Sequence, residues 1–184
     1  MWKTLALCLA LLFGPSLASA KVHHRAPKFF SANKDSVAEE NLAGNEMFAY
    51  RYFTQAQVDN DVQLGKLSAL YDRTVYVISP KLPIERRYAL HATVSFVYEL
   101  SKEYYWVFRQ PLMVDSAIRP ATAQRSLHLH NAAPAYGPRA SSHERATTVD
   151  LSRKLSKIEY KWLIVRLLYY RAIGRVLVIQ EAHC

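Results

Sequence analysis

The stretch that decides how this chain is read runs from Leu112 to Asp150. It opens Leu112-Met113-Val114-Asp115-Ser116-Ala117-Ile118-Arg119-Pro120, continues to Gln124, reaches Ser141-Ser142-His143 and closes on Val149-Asp150. Leu112 to Val114 is a short apolar run beside Pro111, the pattern of a buried strand. A helix is expected from about Pro120 to Leu129, since proline is tolerated in a first turn. Asn131 to Ser142 carries Pro134, Gly137 and Pro138, punctuation that leaves a loop. Thr147 to Leu151 is β-prone. His143 in the loop and Asp150 on the strand leaving it are a nitrogen donor and an oxygen donor, with six residues between them. Both can reach one cation, and zinc accepts such donor sets while leaving a position open for water.

Outward from that stretch, two long helices are expected. Pro83 opens one that runs to about Phe108, with Tyr88, His91, Val94, Phe96, Val97, Leu100, Tyr104 and Val107 as its core face. His91 there reads as a hydrogen-bonded core histidine rather than a ligand. Leu155 to Ile173 forms the other, stopped by Gly174 in a C-cap role. Val176 to Ile179 reads as a final strand leading into Glu181-Ala182-His183-Cys184. Towards the N-terminus, Leu67 to Ser79 is extended, with Val75 to Ile78 a strand ended by Ser79-Pro80. Ser36 to about Gln57 is helical in pattern, with Val37, Leu42, Met47, Tyr50 and Phe53 on one broad apolar face. Helices and strands mix without a regular βαβ rhythm, which implies an α+β fold, a small antiparallel sheet flanked by helices.

Residues 1–20 read as an address. Met1-Trp2-Lys3 is a short positive start, Thr4 to Phe13 is apolar, and Ala18-Ser19-Ala20 has the small-x-small pattern of a signal-peptide cleavage site. The run is far short of the roughly 20 residues that span a bilayer, and no later segment reads as a span. Lys21 to Asp35, including His23-His24, is a polar, aperiodic lead-in. Removing the signal leaves one cysteine, Cys184, so no intramolecular disulfide forms and the core or a metal must hold the domain. The formal net charge of +9 suits an anionic polymer such as bacterial cell wall, or simply a solvated basic surface. Nucleic acid is an unsuitable partner outside the cytoplasm, and no motif for it is present.

The order Ser116-x-x-Arg119, Gln124 five residues on, then Ser141-x-His143 and Asp150 resembles the D-Ala-D-Ala metallopeptidases. These are the zinc carboxypeptidases, dipeptidases and peptidoglycan endopeptidases that share a fold with hedgehog signalling domains. Their core, Ser-x-His-x-x-Gly-x-Ala-x-Asp, is matched by Ser141, His143 and Asp150, with Ala146 in the glycine slot and Thr148 in the alanine slot. The likeness covers residues 84–184, following a signal (1–20), a lead-in (21–35) and an N-terminal helical and extended region (36–83).

The resemblance implies that His143 and Asp150 are the first two zinc ligands. It implies that Arg119 holds substrate near the metal, with Ser116, Gln124 and Ser141 beside it. Glu181 takes the role of general base and His183 that of third ligand. Strict register of the family's Glu-x-x-His puts Cys184 in that slot instead, and a ligand histidine beyond residue 184 is a third option. His128 and His130 rank below His183, because residues two apart on a helix do not share a face. Glu144 and Arg145 either contact substrate or are solvated. If position 146 requires φ > 0, its alanine is strained by about 1 kcal/mol or somewhat more. The implied activity is that of an exported, monomeric zinc peptidase, periplasmic or extracellular, cutting peptidoglycan stem peptides. The rival readings are a catalytically degenerate module that binds wall peptide or metal, and a structural protein in which zinc only clips the domain.

Overall fold

In the computed structural model the described residues are 38–39, 42–43, 50–130 and 141–179, with backbone alone for 127–130. Helix α1 (Gln55–Gln63) starts at Thr54, whose hydroxyl accepts from the Gln57 amide while the Gln57 side chain returns to the Thr54 backbone. That reciprocal cap satisfies two amides that a helix start would otherwise leave without partners. Strands β1 (Leu67–Ala69) and β2 (Tyr76–Ile78) follow. A 3₁₀ turn (Ile84–Arg86) leads into β3 (Tyr88–Leu90) and then the long helix α2 (His91–Phe108). Strand β4 (Leu112–Ser116), helix α3 (Ala121–His130), a second 3₁₀ turn (Ser142–Arg145), β5 (Asp150–Leu151) and helix α4 (Lys157–Ala172) complete the order.

The fold is α+β, with two small sheets. β1 pairs antiparallel with β3, Leu67 facing Leu90. β4 is the centre of the other sheet, parallel to β2 and antiparallel to β5. The sheet is therefore mixed where a wholly antiparallel one was expected. The chain leaves β2, crosses through α2 and re-enters β4 in the same direction, which a helical crossover permits and a hairpin does not. Between Val114 and Ser116 the β4–β5 register slips by one residue. Such a bulge re-aims side chains, and here Ser116 is set opposite Asp150.

The helix expected to open at Pro83 begins at His91. Tyr88 to Leu90 is claimed by β1, and the Leu90 amide donates to the Ala146 carbonyl at 2.9 Å, so non-local partners outcompete the helical ladder. His91 is exposed at that helix start, bonded to Ser68 and to the Gly65 carbonyl, and so is not a core histidine; Val107 is also exposed. Likewise Arg51 to Phe53 is not helical, Tyr52 pairing with Glu144 through its amide and with Ala121 through its carbonyl. Val176 to Ile179 forms no strand; Val176 instead packs on the core.

The main core gathers Tyr76, Ile78, Val97, Leu100, Tyr104, Leu112, Val114, Leu163 and Tyr170, so α2 and α4 both close on the β2–β4 sheet. The two helices run antiparallel: Tyr104 donates to Glu159 at 2.8 Å near the start of α4, and Arg166, further along α4, forks onto Glu103 just before Tyr104 on α2. Beyond α4, Arg175 does the same to Glu99. A second cluster, Tyr52, Val58, Leu67, Ile118 and Ala146, underlies the turn that carries His143.

Candidate metal centre

His143 sits in the one-turn 3₁₀ segment that Ser141 caps. The Ser141 hydroxyl accepts from the His143 amide, and Glu144 reaches back to the Ser141 amide. Glu144 is 1 % exposed and pairs with Arg51, so it neither meets solvent nor faces a substrate; it fastens the turn to the segment before α1. The His143 carbonyl accepts from the Arg119 amide at 3.0 Å, which ties the same turn to the end of β4. The turn ends on Ala146 at φ 58°, ψ 17°, fully buried. Position 146 thus adopts the left-handed backbone that glycine reaches without strain.

The imidazole is 5 % exposed. Its Nδ1 lies 2.7 Å from the Ala117 carbonyl, and because a carbonyl can only accept, Nδ1 carries the hydrogen. That leaves Nε2 facing Asp150, whose Oδ1 is 3.3 Å away. The second Asp150 oxygen is 3.8 Å from the Arg119 guanidinium. Arg119 also donates to the Ser116 hydroxyl at 2.7 Å and to Gln124 Oε1 at 2.9 Å, and Gln124 is itself 2 % exposed. Ser116, Arg119, Gln124, His143 and Asp150, scattered over 35 positions, are thereby brought into one contiguous cluster. Ser141 lies behind it as a cap rather than beside Arg119.

Burial by itself would drive both ionisable partners neutral. For His143 it pulls the pKa down, but the Asp150 carboxylate more than reverses this and the imidazole ends above its ordinary value. For Asp150 burial pushes up, yet His143, Arg119 and the Ser116 hydroxyl hold it at about 2. The carboxylate is therefore ionised throughout the neutral range, set between the His143 imidazole and the Arg119 guanidinium.

The fit to a zinc ion can be judged from the donor set. Two ligands of one tetrahedral ion, each about 2.0–2.1 Å from it, lie about 3.4 Å apart. Nε2 and Oδ1 match that spacing, and the Nδ1 contact to Ala117 is the kind of outer hydrogen bond that orients a ligating histidine. His143 and Asp150 thus suit two ligand positions. Glu181, His183 and Cys184 lie outside the described residues, as do the side chains of His128 and His130. Among the described residues, no group of three or more His, Cys, Asp or Glu is arranged to hold a metal ion.

Sequence reading missed the Ala117 carbonyl and the burial of Glu144. Nothing in a side-chain pattern marks a backbone acceptor, but Ser141-x-x-Glu144 before a turn is a legible capping signature. Among the described residues no helix is long and apolar enough to cross a membrane. No protein-family model, curated protein or solved structure matches the chain.

Proposed function

We propose that this chain is an exported zinc-dependent peptidase of hedgehog/D-Ala-D-Ala peptidase-like fold that hydrolyses peptide bonds in peptidoglycan stem peptides. The observation that carries the reading is the His143 Nε2–Asp150 Oδ1 separation of 3.3 Å, with Nδ1 committed to Ala117 and Arg119 beside the same carboxylate. The positive φ of Ala146 supports it further, since the resembling family places glycine in that slot. His143, Asp150 and His183 would hold the ion, which when bound supplies Lewis acidity and an acidified water.

The chain's own residues divide the remaining work. Arg119, held by Ser116 and Gln124, presents a fixed guanidinium to a substrate carboxylate or carbonyl oxygen. Glu181 accepts a proton from the attacking water and returns it to the leaving amine. The formal net charge of +9, which becomes +8 once Lys3 leaves with the signal, favours approach to an anionic wall polymer in the periplasm or outside the cell.

The test is zinc per chain in purified protein, wild type against His143→Ala, followed by wall-peptide hydrolysis with Glu181→Ala as control. About one zinc, lost in the His143 variant, together with Glu181-dependent hydrolysis, is the expected result. Well-folded wild type without zinc would remove the peptidase reading. A second reading, a degenerate module of the same fold that binds wall peptide or metal, is favoured by one observation. Among the described residues His143 Nε2 and Asp150 Oδ1 already contact each other at 3.3 Å, and no third ligand stands with them. Retained wall-peptide binding with no hydrolysis would select that module.

A further inference from the structure

Helix α4 is apolar on two sides. Leu163 and Tyr170 are buried in the main core, with Trp162 and Leu167 packed against it. On the outer side, Ile158, Val165 and Tyr169, with Ile173 just past the helix end, are 74 %, 56 %, 50 % and 51 % exposed. Their spacings of seven, four and four residues put them in one stripe, about 22 Å long at the helical rise. A helix apolar on both faces needs a second apolar partner.

The charges around the stripe say what kind of partner. Residues 153–175 contain seven cations (Arg153, Lys154, Lys157, Lys161, Arg166, Arg171 and Arg175) and one acid. That acid, Glu159, is buried and accepts from Ser156 and Tyr104, so it contributes no negative charge to the outer face. Arg166, Arg171 and Arg175 are paired with Glu103, Glu39 and Glu99. Lys154, Lys157 and Lys161 are exposed, the last two one turn apart along the edge of the stripe. Tyr169 stacks under Arg166, 4.9 Å from the guanidinium to the ring centre, placing an amphipathic ring at the opposite edge.

We propose that this outer face of α4 docks on an anionic lipid bilayer. An apolar stripe flanked by lysines and an aromatic ring is the arrangement by which a helix lies in the plane of a membrane interface. The lysine stems bury along the acyl boundary while their ammonium groups meet phosphate. A second copy of the chain would set the same cations against each other, which disfavours self-association through this face. No residue of the candidate metal centre takes part in this docking, which is independent of the peptidase reading.

The experiment is lysine acetylation of the full chain, mapped residue by residue, with and without vesicles of phosphatidylglycerol and phosphatidylcholine in equal parts. Lys154, Lys157 and Lys161 are expected to react about tenfold more slowly on these vesicles. The exposed lysines Lys66, Lys81 and Lys102 serve as internal references and are expected to be unchanged. That comparison separates α4 contact from tethering through the apolar run 4–13. On pure phosphatidylcholine the protection should be absent. It should also be lost in the variant Ile158→Ser/Val165→Ser/Tyr169→Ser, with its melting temperature showing that it folds. Should that variant not fold, Lys157→Glu/Lys161→Glu read at Lys154 replaces it, and loss of protection there is expected. Uniform slowing of all lysines, no slowing, equal protection on neutral lipid, or protection unchanged by the substitutions would overturn the proposal. So would protection that grows with protein concentration in the absence of lipid, which would mark a self-interface.

Discussion

Replacing Ala146 by glycine and, separately, by valine measures how firmly the turn behind His143 is held. Ala146 lies at φ 58°, ψ 17° and is fully buried. A Cβ in the left-handed region costs about 1–2 kcal/mol, and glycine would remove that strain. Two effects oppose the gain. The methyl packs among Tyr52, Val58, Leu67 and Ile118, and deleting one buried carbon costs about 0.8 kcal/mol. Glycine also widens the unfolded ensemble, which costs about 0.4–1 kcal/mol. The terms nearly cancel, so Ala146→Gly should stay within about 1 kcal/mol of wild type. Valine instead adds a β-branched side chain at a φ it rarely adopts, and its two extra methyls overfill the cluster at about 1–3 kcal/mol. Its total loss should reach about 2–4 kcal/mol. Urea unfolding with thermal melts would read both, 1 kcal/mol corresponding to about 2–4 °C for a domain of this size. A glycine variant stabilised by more than about 2 kcal/mol would show that the methyl is not packed. A valine variant melting with wild type would refute the left-handed, buried turn.

The other expectations concern hydrogen-bonded charges. Tyr104→Phe removes a buried hydroxyl that donates to Glu159 at 2.8 Å; the urea midpoint should fall by the equivalent of about 1–2 kcal/mol, and an unchanged midpoint would contradict the bond. Asp61 is driven up by burial, but hydrogen bonds from Lys66, Tyr52 and Asn60 outweigh this and lower its pKa. Its stabilisation is therefore complete above about pH 4 and lost as pH falls through the lowered folded value. Asp61→Asn should flatten that limb of the acid-melting curve, and parallel curves would dismiss the assignment. Arg119→Lys strips the fork from Gln124 and Ser116, so about 1–2 kcal/mol of stability should be lost; a melt equal to wild type would show that these contacts contribute nothing. If His143 and Asp150 bind zinc, loading displaces the imidazole proton. Affinity should then weaken about tenfold per pH unit below the histidine's raised pKa, and a pH-independent affinity measured by calorimetry would place the ion elsewhere.

The sequence by itself determined several local elements and named five side chains that meet in one cluster. Ser156 and Glu159 bracket a helix start, Gly174 takes φ 72° just after the same helix, and Leu112 to Val114 is a buried strand, because caps, turns and short apolar runs depend only on near neighbours. Ser116, Arg119, Gln124, His143 and Asp150 were legible as a set through residue order, although no local rule says that they touch. Tertiary structure alone decided the rest. The parallel pairing of β2 with β4, the conversion of Tyr88 to Leu90 from expected helix to strand, and the failure of Val176 to Ile179 to pair depend on which backbone donors lie opposite. So does the burial of Glu144 against Arg51, separated by 93 positions. The left-handed turn at Ala146 belongs to both accounts. The sequence raised the question by placing alanine where glycine is comfortable, and the packing of Tyr52, Val58 and Ile118 around its methyl answered it. Hydrogen-bond partners and filled volume come from residues far away along the chain, and a one-dimensional pattern holds no record of their distance.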